Sequence, residues 1–254
     1  MNPALVIPFF AVLVVSVVFS MFGKGGGSLY TPVLVMLGWD VGVSISTALF
    51  LNLVTALVAT IVFARNRLVD FRFCAIFLPG TIAGSILGAL LSSRAPKDLL
   101  LGLFAAFLAV AGVLMIRSGK GETGQPVKRL SWSLGTLITG FSFAVGVISS
   151  LIGVGGGLMI FPFLVLYMGY SAQKAAGANS LIVTVSSLVG SAGHFAVGHI
   201  EYALIGITAI AAAAGAAVGS HVTVKASPKF VKVAFAFIMW FFAVEIVAHQ
   251  LGML

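Results

Sequence analysis

Apolar residues fall into ten runs along this chain. Five lie at 4–22, 28–38, 41–63, 71–92 and 98–116, and five more at 132–152, 158–169, 172–197, 202–223 and 229–248. Eight of the runs are about twenty residues long, enough to cross a ~30 Å hydrocarbon core as helices. The runs 28–38 and 158–169 are too short to do so. The pattern predicts an all-α membrane protein with about eight long transmembrane helices and two short, broken or re-entrant helices. The longest polar stretch, Arg117 to Ser131, is too short for a separate soluble domain. The chain therefore reads as a first membrane repeat over 1–117, a cytoplasmic linker over 118–131 and a second membrane repeat over 132–254.

The word "repeat" rests on particular residues. Gly23-Lys24-Gly25-Gly26-Gly27 with Pro32 returns as Gly153-Val154-Gly155-Gly156-Gly157 with Pro162, offset by 130 at every glycine and at the proline. Gly84 and Gly88 pair with Gly215 and Gly219 at an offset of 131. Thr47-Ala48-Leu49 pairs with Asn179-Ser180-Leu181, and Pro96-Lys97 with Pro228-Lys229, both at 132. Glycine-interrupted short segments in matching places of two halves are the mark of a secondary transporter. A glycine run is a poor place to continue a helix, because glycine gives up the most backbone freedom on ordering. The helix that restarts after it turns free N–H groups and a positive dipole end toward the run, which is an anion site in physical terms. Irregular backbone at membrane depth must be covered by protein or line a cavity, so both segments are expected inside the protein, facing one shared site.

Charge changes the picture by choosing a topology. If the short runs do not count as changes of side, the halves run parallel and Lys plus Arg divide seven to seven. If each short run changes the side, the second half is inverted. The count is then eleven (Arg65, Arg67, Arg72, Arg117, Lys120, Lys128, Arg129, Lys174, Lys225, Lys229, Lys232) against two (Arg94, Lys97), with Lys24 inside the membrane. The positive-inside rule favours two inverted repeats with both termini outside.

Composition agrees. The chain is 60% hydrophobic and 8% charged, with mean hydropathy +1.19, against about 25% charged residues in a soluble domain. The net charge of +8 follows from basic cytoplasmic loops; no basic stripe or RNA-binding motif points to nucleic acid. Met1-Asn2-Pro3 lacks a basic n-region, so the first run does not read as a removed signal peptide. One cysteine, Cys74, excludes an intrachain disulfide. No Walker motif, CxxC or HExxH is present, which leaves no basis for ATP-driven pumping, a metal site or a cofactor. Ser191 and His194 lie three apart, but no orienting partner accompanies them as an intramembrane serine protease requires.

The candidate substrate-binding residues are Gly23, Lys24, Gly25, Gly26, Gly27 and Ser28 in the first motif and Gly153, Gly155, Gly156 and Gly157 in the second. Thr47, Asn179 and Ser180 join them as uncharged donors inside apolar runs, with hydrogen bonding between helices as the alternative. Lys24 stands out because a charge within the membrane is costly and is a functional hypothesis by default; the bland reading is a residue that snorkels to an interface. Ser44, Ser46 and Asn52 fit helix packing better. The GxxxG spacings at Gly84 and Gly215 fit close helix approach. His194 is the candidate proton relay, with a structural hydrogen bond as the alternative. His199, Glu201 and Glu245 read as loop or interfacial groups.

The doubled Gly-x-Gly-Gly-Gly followed by a proline-containing apolar stretch resembles the TauE/SafE family of membrane transporters, over nearly the whole chain. The resemblance implies transport of small sulfur-containing anions across a bacterial inner membrane. It points to Gly23, Gly25 to Gly27, Gly153, Gly155 to Gly157 and the Asn179-Ser180-Leu181 segment; Lys24 occupies the motif's variable position. The expected partners are a small anion, the lipid bilayer and a coupling ion, H+ or Na+. An anion channel or an intramembrane enzyme is the alternative, and the oligomeric state is open. The charge count makes a testable statement about topology. Single cysteines at Gly121 and at Pro228, in a Cys74→Ser background, are expected to be shielded from an impermeant thiol reagent in intact cells. Labelling of only one of them rules out the inverted arrangement.

Overall fold

A computed structural model of the chain describes residues 3–91, 97–118, 132–152, 156–195 and 201–250. Among these residues the regular structure is all helical, with no strand. The helices are α1 Pro3–Ser20, α2 Gly27–Met36, α3 Val41–Arg65, α4 Phe71–Leu91 and α5 Lys97–Arg117. They continue as α6 Trp132–Ile152, α7 Gly157–Pro162, α8 Ala172–Phe195, α9 Tyr202–Lys225 and α10 Pro228–Gln250. A π-helical turn, Phe163–Tyr167, extends α7. Each helix coincides with one apolar run of the sequence. Four are long and apolar enough, within the described residues, to cross a membrane: Gly42–Arg65, Phe71–Gly88, Tyr202–Lys225 and Pro228–Ala248. Most of the expected linker, 119–131, lies outside the described residues, as do Gly153, Gly155 and His199.

Local chemistry sets the helix ends. The Asp40 carboxylate accepts from the N–H groups of Gly42 (2.8 Å) and Val43 (3.2 Å), capping α3. Ser171 and Ser227 hydroxyls accept from Lys174 N–H (3.4 Å) and Phe230 N–H (3.2 Å) at the starts of α8 and α10, and Pro228 takes a first-turn position where no N–H is needed. The two short helices stop for a shared reason. Each carries a proline, Pro32 or Pro162, which removes a helical hydrogen bond. Each is followed by a glycine of positive φ, Gly38 at +87° and Gly169 at +73°, a conformation that other residues adopt only with strain.

The chain forms two compact units, each drawing on both sequence halves: Met1–Cys74 with Ala176–Lys225, and Ala75–Ala175 with Ala226–Leu254. In the first unit α9 packs on α1 and α3. The α1–α9 seam is made of small residues. A Cβ on Gly215 would lie 2.6 Å from the Leu13 carbonyl oxygen, and one on Gly219 only 2.0 Å from that of Val17. The Ser16 hydroxyl donates to the Ala212 carbonyl at 2.6 Å. Val12, Tyr30, Ala48, Leu51, Ala211 and Ala212 form a buried cluster beside it.

In the second unit α5 packs on α10, where Gly112 makes room for the Trp240 ring and Trp240 Nε1 donates to the Ala109 carbonyl at 3.2 Å. Lys232 is 1% exposed, and its ammonium donates to the Ser118 carbonyl just past α5, where a cation complements the helix dipole. Gly80 and Gly84 of α4 sit against α6: a Cβ on either would lie 2.1 Å from Ser142 Oγ or the Phe143 carbonyl oxygen. Phe163 stacks on Phe141 with ring centroids 3.9 Å apart.

Helices without a hydrophobic driving force between them rely on this close backbone approach. Gly84→Ala and Gly219→Ala are therefore each expected to cost about 1–3 kcal/mol through overpacking against backbone. Gly206 and Gly140 have nothing within 4 Å of their missing Cβ. Alanine there is expected to be neutral or to gain about 0.5–1 kcal/mol in helix propensity. Thermal midpoints of the four purified variants in detergent check the contrast.

Candidate functional site

The first glycine segment begins where α1 runs out of partners. The last four carbonyls of a helix have no intrahelical donor, and inside a membrane water does not supply one. Here each of them has a named partner. Lys24 N–H donates to the Phe19 carbonyl (3.3 Å) and Gly23 N–H to the Ser20 carbonyl (3.0 Å). With Gly23 at φ +62° this is a Schellman ending, which requires a left-handed residue at that point. The Thr223 hydroxyl of α9 donates to the Met21 carbonyl at 2.7 Å, and the Asn179 amide of α8 donates to the Phe22 carbonyl at 2.9 Å. A Cβ on Gly23 would lie 1.9 Å from the Ala176 carbonyl oxygen, so a glycine is needed for α1 to end this close to α8.

The same turn places Lys24. Its side chain folds back so that the ammonium stands 4.6 Å from the centre of the Phe19 ring, one turn earlier, a cation–π distance. Nζ donates to Ser28 Oγ at 2.6 Å. Lys24 is 3% exposed. A snorkelling lysine keeps its head in solvent; this ammonium does not.

Gly25 also has positive φ, +71°. The missing side chains of Gly25 and Gly27 leave the space taken by Asn52 of α3. A Cβ on Gly25 would lie 2.1 Å from Asn52 Oδ1, and one on Gly27 2.9 Å from Asn52 Cγ. Asn52 Oδ1 accepts from Gly27 N–H at 2.9 Å, and Nδ2 donates to Ser187 Oγ of α8 at 2.6 Å. Gly26 makes room for the ring of Tyr30, whose Cζ would lie 2.3 Å from its Cβ. The fully buried Tyr30 hydroxyl bonds Thr55 Oγ1 at 2.7 Å. Thr55 Oγ1 in turn lies 3.3 Å from Ser16 Oγ. The α-carbon sides of the four glycines thus face protein.

The remaining candidates sit as follows. Ser180 is fully buried and donates to the Gly177 carbonyl of its own helix at 2.8 Å. Thr47 and Ser44 are fully buried on α3, and neither hydroxyl has a hydrogen-bond partner among the described residues. In the second unit Gly156 starts α7 as Gly26 starts α2: its carbonyl accepts from Met159 and Ile160 N–H at 3.0 and 3.1 Å, and that of Gly26 from Leu29 and Tyr30 at 2.9 and 3.0 Å. Gly157 is buried. Of His194 only the backbone, in α8, is described. The structure brings Gly23 to Ser28 together with Asn179 and Ser180 in one unit. Thr223, Ser187 and Tyr30 also build this region and carried no sequence signal beyond a polar atom in an apolar run.

The break thus gathers a buried ammonium and a neighbouring hydroxyl, while the first N–H groups of α2 are engaged, that of Gly27 by Asn52 and those of Leu29 and Tyr30 by the Gly26 carbonyl. A family model described as "Sulfite exporter TauE/SafE" matches residues 8–246. A protein of Bacillus subtilis named "Probable membrane transporter protein YunE" is 27% identical over 215 residues, covering 75% of this chain and 78% of that protein. A probable membrane transporter protein of Methanocaldococcus jannaschii is 24% identical over 240 residues, 87% of this chain and 86% of its own. One from Xylella fastidiosa is 30% identical over 179 residues, 66% of each. No solved structure shows a significant match.

The hydrogen bond from Asn179 to Phe22 has a measurable consequence. Asn179→Ala strands a buried carbonyl, and a loss of about 1–3 kcal/mol in stability is expected while anion affinity is kept. A variant that melts normally but fails to bind anion identifies Asn179 as a ligand donor instead.

Proposed function

Because this chain belongs to the TauE/SafE family of membrane transporters, we propose that it is a secondary transporter. It moves a small anion, a sulfur oxyanion or an organosulfonate, across the bacterial inner membrane by alternating access. The observation that carries this reading is Lys24: an ammonium 3% exposed, on a break between two helices, hydrogen-bonded to Ser28. An anionic cargo adds a charge-assisted contact to those that Lys24 already makes with Ser28 and the Phe19 ring. Ser28 and Lys24 hold the anion's oxygens. Thr47 contributes a further donor. H+, relayed through His194, or Na+ drives the cycle.

The eight long helices cross the membrane, while α2 and α7 with its π turn are the short segments, and both termini lie outside. Matched geometry supports two repeats, and the charge count favours their inversion. Gly84 of α4 abuts the Phe143 carbonyl oxygen and Val147 N of α6; Gly215 of α9 abuts the Leu13 carbonyl oxygen and Val17 N of α1. The glycines are 131 residues apart and their partners 130. The left-handed Gly38 and Gly169, and the capping Asp40 and Ser171, are also 131 apart. Duplication explains such coincidences at offsets of 130 and 131; independent packing does not.

The test is Lys24→Met, which keeps length and removes charge. The expected result is anion binding weaker by about 1–3 kcal/mol, the worth of a charge-assisted contact, with insertion and melting unchanged. Lys24→Arg is expected to bind worse than its charge suggests, because the planar guanidinium is larger. Lys24→Glu is expected to be inactive. Isothermal titration of sulfite and methanesulfonate, with accumulation assays in proteoliposomes, decides the matter. Unchanged affinity in Lys24→Met removes Lys24 from the site, and flux that never exceeds the gradient makes the protein a channel.

A further inference from the structure

We propose that the basic end of α9 binds one anionic phospholipid, with Lys225 and His221 on its headgroup and an acyl chain along the exposed face of the helix. One face of α9 packs on α1 and α3 through Ala211, Ala212, Gly215 and Gly219. On the opposite face Gly206, Ile210, Ala214 and Val218 recur every four residues, all exposed and none polar. Ile210 is 66% exposed and Val218 55%. The helix is long and apolar enough to span a membrane, so lipid chains cover this stripe. His221 breaks the pattern. It continues the same exposed face, where an ionisable side chain within a span is costly and calls for a polar partner. Its Nδ1 donates to the Ala217 carbonyl at 2.7 Å, which fixes the ring and leaves Nε2 for a ligand. Lys225, also exposed, follows one turn later at the helix end, about 6 Å farther along. With Ala217, Val218 and Val222 these two side chains line a groove of about 390 Å³.

Charge selects an anionic lipid over a neutral one. α3 and α9 run parallel: Val43 packs with Leu204 and Ile207 near their starts, and Ala48 and Leu51 with Ala211 and Ala212 farther on. Arg65, in the last turn of α3, therefore stands at the same end of the first unit as Lys225, and the exposed Arg67 and Arg72 follow it there. The unit holds three acids. Asp40 and Glu201 lie at the opposite end, before α3 and α9. The Asp70 carboxylate is engaged in capping α4, accepting from Phe73 N–H at 3.0 Å. Basic side chains beside an apolar face at a membrane surface recognise anionic headgroups. The Lys225 ammonium donates to the lipid phosphate, and a headgroup hydroxyl donates to His221 Nε2, a combination that phosphatidylglycerol supplies. Its chain then lies along Val218, Ala214 and Ile210. The groove faces away from Thr223 and the glycine break, so its occupancy does not depend on what is transported.

Native mass spectrometry tests this on the full-length protein in detergent, equilibrated with phosphatidylglycerol or with phosphatidylcholine of identical chains. Wild type is expected to hold one phosphatidylglycerol at least about 5-fold more tightly than phosphatidylcholine, the worth of one basic side chain at a membrane surface. Lys225→Gln is expected to abolish that preference. His221→Phe is expected to weaken the lipid about 3-fold, the loss of one neutral hydrogen bond. Melting midpoints in lipid-free detergent are expected to stay unchanged in both. The control combines Arg65→Gln with Arg67→Gln, which removes two charges from the same end and leaves the groove intact; it is expected to keep the preference. A wild type without preference overturns the inference. An equal loss in the control also overturns it, since attraction is then diffuse. Retention of the lipid by the Lys225→Gln, His221→Phe double variant places it elsewhere, and displacement of the lipid by inorganic phosphate marks a free-anion site; either result overturns the inference. So does a dimer cross-linked through Val218→Cys in a Cys74→Ser background, which puts a second copy of the chain on this face.

Discussion

Everything in the first unit depends on the fact that hydrocarbon offers no hydrogen bonds. A chain that breaks its helix inside a membrane must find a partner for each freed backbone group. At the α1 break two carbonyls are met by the chain's own turn at Gly23 and Lys24, and two by side chains from α8 and α9. At the α2 start, Gly27 N–H is met by α3. The break is thus not a loop attached to a scaffold. It is held by three long helices at once.

That dependence explains the glycines. Elements holding a short segment through hydrogen bonds of about 2.9 Å must approach its backbone closely, and Cβ atoms would prevent it. Gly23 gives way to Ala176, Gly25 and Gly27 to Asn52, and Gly26 to Tyr30. The glycine run serves two demands together: positive φ at Gly23 and Gly25, and bare surface on all sides. A glycine at each position is cheaper than any pattern of small residues.

The two glycine motifs are similar in backbone and different in chemistry. Gly26 and Gly156 each restart a helix with the same pair of carbonyl contacts. The first copy carries Lys24, Ser28 and Tyr30, where the second has Val154, Leu158 and Ile160. The polar chain of Ser16, Thr55 and Tyr30 and the Asn52–Ser187 pair belong to the first unit. In the second unit the short helix is packed among aromatic rings, with Phe161 4.2 Å from Phe235 and Phe163 stacked on Phe141.

The sequence by itself determined the class, the helices and the breaks. These follow from composition, run length, glycine and proline, which act through local backbone physics and through the solvent. It determined the family as well, because the doubled motif is contiguous. It also drew attention to Lys24, since charge in an apolar context is visible without coordinates. It did not distinguish Asn52, assigned to packing, from Asn179, weighed as a ligand. Both are asparagines in apolar runs, and their partners lie 25 and 157 residues away. Only the tertiary structure decided that Asn52 lies in the slot of Gly25 and Gly27 while Asn179 closes the end of α1. Nor did the sequence order the two compact units, each of which mixes both halves. Which helix packs on which is set by matching small surfaces such as Gly215 on Leu13 and Gly84 on Phe143, and a match of that kind is a property of two surfaces that no single stretch of chain contains.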